Sequence, residues 1–174
     1  KADDIAQKAE LIGGTAREVI DMMNEIIWSL DPKDDTLESL ISYMRQFLNI
    51  MLNSTDMRCV LVATEVTPDI RLSPDFRRNI FLVFKEVVNN IVKHSHATTV
   101  EVNIAVTERS LAFDIKDNGV GMHHSGYAGG RTGVGMRSIR ERAASIGASL
   151  DIESIPQRGT TVRFCAELRA IPPI

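Results

Sequence analysis

"TVEVNIAVTERSLAFDIKDNGVGM", Thr99 to Met122, is the stretch that decides the fold. Two runs of alternating apolar and polar residues, Thr99 to Thr107 and Ser110 to Asp117, are separated by only a few polar residues around Glu108, and they read as an antiparallel hairpin. A second pair, "SLDIESI" from Ser149 and "TTVRFCAEL" from Thr160, flanks a turn at Pro156 to Gly159. Parallel neighbours need a crossover of roughly a dozen residues or more, so two short joins argue against a doubly wound parallel sheet. With helical segments interleaved, the chain reads as α+β: a two-layer sandwich with a mixed, largely antiparallel sheet, preceded by amphipathic helices. The hairpin runs into "DNGVGM", Asp117 to Met122. Two glycines one residue apart are either a tight turn or the floor of a nucleotide pocket, and short glycine pairs are usually turns.

Composition narrows the function classes. The 174 residues are 44% hydrophobic, enough for one sizeable core or a domain with a helical appendage. The formal charge of -3 comes from 20 basic and 23 acidic residues mixed along the chain, so no broad basic face for nucleic acid is indicated. Cys59 and Cys165 lie in separate apolar runs without metal spacing and read as reduced core residues of an intracellular domain. No apolar run approaches the roughly 20 residues a bilayer requires, and no signal-peptide pattern opens the chain. A start without Met, in mid-helix character, marks an expected piece of a longer protein, whose membrane segment, if any, lies elsewhere.

Upstream, Ala9, Ile12, Ala16, Val19, Met23, Ile26 and Leu30 recur at steps of three and four, which predicts a helix from about Asp4 to Leu30, weakened at Gly13 and Gly14 and stopped at Asp31-Pro32. "TLESLISYMRQFLNIML" predicts a second, capped by Thr36, with a stripe of Leu37, Leu40, Ile41, Met44, Phe47, Leu48 and Met51. The pair reads as a hairpin whose stripes either join the core or meet a partner. "RCVLVAT" is a short strand. A third helix starts with Ser73 as cap and Pro74 at the first position and is predicted to reach about His94; a fourth, "MRSIRERAASIG", ends at Gly147.

The third helix carries the chemistry. In "FRRNIFLVFKEVVNNIVKHSHA", a projection at 100° per residue gathers Ile80, Phe84, Val87, Val88 and Ile91 on an apolar arc and Glu86, Asn90 and Lys93 on another face. An acid, an amide and a lysine so spaced form either a solvated, mutually bonded surface or a Mg-triphosphate site, with Glu86 and Asn90 as hard oxygen ligands for Mg2+ and Lys93 as a charge for phosphate oxygens. Asp117, an acceptor-only carboxylate at a strand end, suits the exocyclic amine of adenine. Gly119 and Gly121 would let backbone pass beneath the base, and Gly133 and Gly135 would turn amides and a helix N-terminus toward phosphate. Thr160 and Thr161 either supply a hydroxyl to the base or its water or simply favour the strand.

As an ordered set these motifs resemble the ATP-binding catalytic domain of sensor histidine kinases, within the Bergerat-type superfamily that includes gyrase-, MutL- and Hsp90-type ATPases. "KEVVNNIVKHSHA" is similar to that family's N box, "DNGVGM" to its first glycine box, and "GVGMRSIRERAASIGASL" with "GTTVRF" to its second and to the end of the fold. The resemblance implies ATP and Mg2+ as ligands, Glu86 and Asn90 at the metal, Lys93 at phosphate, His94 beside the nucleotide, Asp117 on adenine, and a lid from His123 to Thr132 with Arg131 as a phosphate clamp. It implies a division into a dimerisation and phosphoacceptor helical region and connection over residues 1–56 and a catalytic domain over 57–174. It further implies γ-phosphoryl transfer from Mg-ATP to a histidine, relay to a response-regulator receiver domain, a homodimer in the full-length protein, and a place in the cytoplasmic portion of a membrane-anchored sensor. His94, His96, His123 and His124, the chain's four histidines, belong to the pocket helix or the lid, so the acceptor is expected on an upstream helix absent from this chain. The rival readings are a conformational ATPase of the gyrase or Hsp90 type and a degenerate interaction domain.

Overall fold

A computed structural model of the chain describes residues 12, 13, 16, 19, 23, 26–28, 31, 35–53, 55–64, 70–122 and 132–168, with side chains from 135 onward in the last stretch. The chain divides into two compact units, Lys1–Asp34 and Asp35–Ile174. In the first, the described residues from Ile12 to Trp28 are helical, and Ile12, Val19, Met23 and Ile26 of the expected apolar stripe are exposed. The rest of that helix lies outside the described residues.

The second unit opens with α1, Leu37–Asn53. Its first turn is capped as the sequence predicts, the Thr36 hydroxyl accepting the Ser39 N–H at 3.1 Å. Leu37, Leu40, Ile41, Met44 and Leu48 are buried, so this stripe belongs to the core. After strand β1, Arg58–Ala63, comes α2, Pro74–Asn90, whose cap Ser73 accepts the Phe76 N–H at 3.3 Å. Tyr43 and Phe47 of α1 pack on Phe81 of α2 with ring centroids 4.6 and 5.6 Å apart. The leads into the two helices are tied together: Leu72 donates to the Asp35 carbonyl at 2.7 Å and Leu37 to that of Ile70 at 2.9 Å. Beneath this tie the fully buried Arg77 guanidinium lies 3.3 Å from the Asp35 carboxylate, the pairing a charge needs when it leaves water.

Strands β2 (Thr99–Val106), β3 (Ser110–Asp117), β4 (Ser149–Ile155) and β5 (Gly159–Glu167), with helix α3 (Thr132–Ser145) between β3 and β4, complete the unit. The sheet runs β1-β2-β3-β5-β4; only β1 and β2 are parallel, joined through α2, and the other pairings are antiparallel. Both short joins of the sequence are hairpins, and the fold is α+β with a mixed, largely antiparallel sheet. Strand alternation sends Val100, Val102, Ile104, Leu111, Phe113, Ile115, Val162, Phe164 and Ala166 into the core under the helices. Phe113 stacks on Phe164 at 4.6 Å, and Phe84 of α2 meets Phe113 edge-on at 5.6 Å, which fastens the helix to the middle of the sheet. On the other face Glu101, Asn103, Asp114 and Lys116 are exposed beside Val60 and Val62 of edge strand β1, and Arg163 bonds Asp151 and Glu153 of β4 at 2.9 and 2.8 Å.

Three local expectations change. Both cysteines are free, but Cys165 is exposed and not a core residue: its neighbours Phe164 and Ala166 take the inward positions of β5, leaving it the outward one. Cys59 is half-buried on edge strand β1, and burial pushes its thiol up from the ordinary value. α2 stops at Asn90 and continues as a single π turn, Ile91–Ser95, ending at His96 with φ 52°. α3 begins at Thr132, so Gly133 and Gly135 lie within its opening turns and not before it. Its end is as predicted, with Gly147 at φ 70° and the Ala148 N–H returning to the Ala143 carbonyl at 2.9 Å. Among the described residues no helix is long and apolar enough to cross a membrane.

Because Phe113 joins the sheet to α2, Phe113→Ala is expected to lower unfolding free energy by about 3 to 5 kcal/mol, the loss typical of a buried aromatic. Urea denaturation of the two proteins measures it.

Candidate functional site

The alternation that buries Leu111, Phe113 and Ile115 buries the next residue of the same parity as well, and that residue is Asp117, with 3% of its surface exposed. A carboxylate at the inner end of a strand needs donors. The Gly119 N–H bonds Asp117 Oδ1 at 2.8 Å, and the backbone of Thr160 on neighbouring β5 also favours the ionised form. Burial nevertheless outweighs these bonds and holds the Asp117 pKa above the ordinary carboxylate value.

The loop after Asp117 is wedged between two other segments. The Val120 N–H donates to the Ser95 carbonyl at 2.8 Å on one side, and the Val120 carbonyl accepts the Gln157 N–H at 2.8 Å on the other. At Gly119 a Cβ would collide with the Ser95 carbonyl, and Gly121, at φ 67°, faces the Ile155 carbonyl. Protein backbone therefore occupies the space beside both glycines of "DNGVGM". In the structure they act as turn and packing residues beside the buried Asp117. Asn118 pins the loop to the start of β2: its Oδ1 accepts the Thr98 and Thr99 N–H groups, each at 2.9 Å.

The second half of the constellation lies along α2 and α3. Glu86 and Asn90 are half-buried near the end of α2, while Lys93 and His94 are exposed on the π turn. An i→i+5 turn holds more residues than an α turn, so Lys93 falls out of phase with the straight-helix projection that aligned it with Glu86. Gly135 packs directly on Glu86, whose carboxylate oxygen fills the place a Cβ would take. Two turns away Arg142 reaches Ser138 at 3.3 Å and the Asn79 side chain at 3.5 Å, so α2 and α3 pass antiparallel. Gly133 lies in the first turn of α3, as does Thr132, the last residue of the expected lid; Arg131 and the rest of that lid, 123–131, lie outside the described residues.

Among the described residues no group of three or more His, Cys, Asp or Glu side chains is gathered for a metal. One carboxylate beside one amide instead suits Mg2+, which keeps several waters and takes its remaining ligands from phosphates. The residues thus fit a nucleotide with its cation: an acceptor-only carboxylate at one end, and an acid, an amide and an ammonium on the neighbouring helix.

The family model for histidine kinase-, DNA gyrase B- and HSP90-like ATPases matches residues 76–170, more than half of the chain. The chain belongs to this ATPase family. Its fold is that of histidine-kinase domains: it superposes on the histidine kinase domain of an Erythrobacter litoralis blue-light activated histidine kinase with a TM-score of 0.62 at 19% identity, covering 74% of this chain and 61% of the other. It superposes on the Acinetobacter baumannii histidine kinase AdeS with a TM-score of 0.62 at 11% identity, covering 92% and 83%. In sequence it is 32% identical over 90 residues to the sensor protein VraS of Staphylococcus saprophyticus, which is 52% of this chain and 25% of the relative. The VraS of Staphylococcus aureus strain COL is 30% identical over 100 residues, 58% of this chain and 28% of the relative. The matched part thus spans about a quarter of those sensor proteins' length.

Sequence reasoning about this ATPase domain passed over Ser95 and Ser154. Ser95 closes the π turn, its hydroxyl donating to the Ile91 carbonyl at 2.7 Å while its own carbonyl holds the Asp117 loop. Ser154 on β4 accepts the Met122 N–H at 2.7 Å and shares a 2.9 Å hydrogen bond with the Thr160 hydroxyl. A polar residue at an inward strand position was the available signal for Ser154.

The raised pKa of Asp117 sets a pH test. In the fold the carboxyl keeps its proton to higher pH than in the unfolded chain, so stability is lost as pH climbs from the ordinary value of 3.8 through the raised one. Asp117→Asn removes this titration and can still accept the Gly119 N–H. Thermal melts without nucleotide are expected to show the variant gaining on the wild type as pH rises from below 3.8 to 7.

Proposed function

We propose that this domain is the ATP-binding catalytic module of a sensor histidine kinase, and that it transfers the γ-phosphoryl group of ATP to a histidine on a helix upstream of the chain. The observation that carries the reading is the buried acceptor Asp117 on the face of the sheet that the helices cover, inside a fold that belongs to an ATPase family. Asp117 accepts the adenine amine. Asn90 and Glu86 hold Mg2+, which when bound offsets phosphate charge, and Lys93 adds an exposed ammonium for the phosphate oxygens. Glu86, fixed by Gly135, orients or deprotonates the acceptor imidazole. His94 lies alongside the nucleotide, and Arg131 with Gly133 serves its phosphates.

The exposed apolar positions Ile12, Val19, Met23 and Ile26 support a homodimer through the helical region, for which we place residues 1–56 as helix and connection and 57–174 as the catalytic domain. A response-regulator receiver domain is the partner that takes the phosphoryl group onward. The module then belongs to the cytoplasmic portion of a membrane-anchored sensor.

Calorimetric titration with ATP tests the pocket. Asp117→Asn is expected to weaken binding by about 1.5 to 3 kcal/mol, as for a charge-assisted hydrogen bond. Asn90→Ala is expected to weaken it with Mg2+ present and to matter less in EDTA; equal losses in both buffers would remove Asn90 from the cation.

Incubation with γ-labelled ATP tests the transfer. Acid-labile label is expected on a separately supplied upstream helix and not on this chain. Label on the chain alone would place an acceptor among His94, His96, His123 and His124, and no label on a helix shown to bind would leave an ATPase without kinase activity.

A further inference from the structure

One short turn joins the two halves of the candidate site along the chain. Asn90 ends α2, the π turn Ile91–Ser95 follows, and the Ser95 carbonyl then holds the Val120 N–H of the Asp117 loop at 2.8 Å. The turn is thus a spacer between the residue proposed for the cation and the loop behind the residue proposed for the base. Lys93 and His94 ride on it, both exposed, and Ser95 is its buried end.

A side chain keeps this turn wide. In an α-helix the Ser95 N–H pairs with the carbonyl four residues back, that of Ile91, whereas in a π turn each N–H reaches five back and the Ile91 carbonyl loses that partner. The Ser95 hydroxyl takes its place and donates to the Ile91 carbonyl at 2.7 Å. The Ala97 N–H donates to the same hydroxyl at 3.0 Å as the chain bends through His96 at φ 52°. Both directions are fixed by the partners, since a carbonyl can only accept and an amide N–H can only donate. Without the hydroxyl the Ser95 N–H is free to return to the Ile91 carbonyl, the turn tightens toward α geometry, and Lys93 rotates with it. The Asp117 loop has anchors that such a change leaves in place: Asn118 Oδ1 on the Thr98 and Thr99 N–H groups at 2.9 Å, and the Gln157 N–H on the Val120 carbonyl at 2.8 Å.

We propose that Ser95 is a positioning residue for the phosphate end of the site: its hydroxyl, standing in for the α-helical bond at Ile91, holds the wide turn that sets Lys93 for the phosphate oxygens. The base end is held separately, so a ligand with phosphates feels the turn and a ligand without them does not. The inference rests on the ATP reading given above.

The test titrates Ser95→Ala with Mg-ATP and with adenosine, alone and in a Lys93→Met background. Ser95→Ala is expected to weaken ATP binding roughly 3- to 10-fold, the loss of one ordinary hydrogen bond, and to leave the affinity for adenosine unchanged. With Lys93→Met already in place it should cost nothing further, the non-additivity expected when one residue acts through another. Ser95→Thr, which keeps the hydroxyl, should bind ATP as the wild type does. Ser95→Cys, close in size and a poor donor, carries the same comparisons if the alanine variant does not fold. Unchanged ATP affinity in Ser95→Ala, an equal loss for ATP and adenosine, or a loss that persists in full beside Lys93→Met would each overturn the proposal. Absence of ATP binding by the wild type would instead overturn the ATP reading itself.

Discussion

Where β3 runs out, three stretches of backbone come so close that side chains are excluded between them. The Asp117 loop touches the Ser95 carbonyl of the π turn on one side and the β4–β5 hairpin on the other, and Cβ atoms at Gly119, Gly121 and Gly159 would all strike backbone. This crowding ties the end of α2 to the far edge of the sheet, so the elements with the candidate chemistry cannot drift apart independently. It also buries a carboxylate. Asp117 remains in an environment that raises its pKa, burial outweighing the backbone donors beside it.

The helices contribute by being stiff where the loop is tight. α2 is fastened to the sheet through Phe84 on Phe113 and to α1 through Phe81, leaving its last turn to carry Glu86 and Asn90 at a fixed height above the strands. Gly135 lets α3 close onto that turn, so that the Glu86 carboxylate lies directly against its backbone. A larger residue there would have to push the carboxylate aside. Thus glycines that look like phosphate-loop residues in the sequence set how closely neighbouring segments approach.

Much of this was legible in the sequence because it is local. Thr36 and Ser73 announce helix starts, Gly147 a helix end, and the short joins after Thr107 and Ile155 allow only hairpins. The order of Glu86, Asn90, Lys93, Asp117 and the glycines was enough to identify the family. What escaped is set by tertiary contacts. "IVKHS" carries no signal for a π turn; the wider turn fits because it delivers the Ser95 carbonyl to Val120, a residue far along the chain. Ser154 looks like an ordinary strand residue until its pairing with Thr160 is known. α3 starts at Thr132, ahead of the expected start, and Gly135, a poor helix former in isolation, permits close packing against α2 that offsets its propensity.

The parity of β5 that turned Cys165 outward gives the domain a convenient chemical handle. Thiolate is the reactive form, and Cys59 is both half-buried and pushed toward the protonated thiol, whereas Cys165 stands on the polar face opposite the helices. Maleimide chemistry at neutral pH therefore favours one of the chain's two cysteines without any substitution. A fluorophore or spin label at that point rides on the central strands, away from Asp117 and Glu86. It would report the orientation of the domain as a whole.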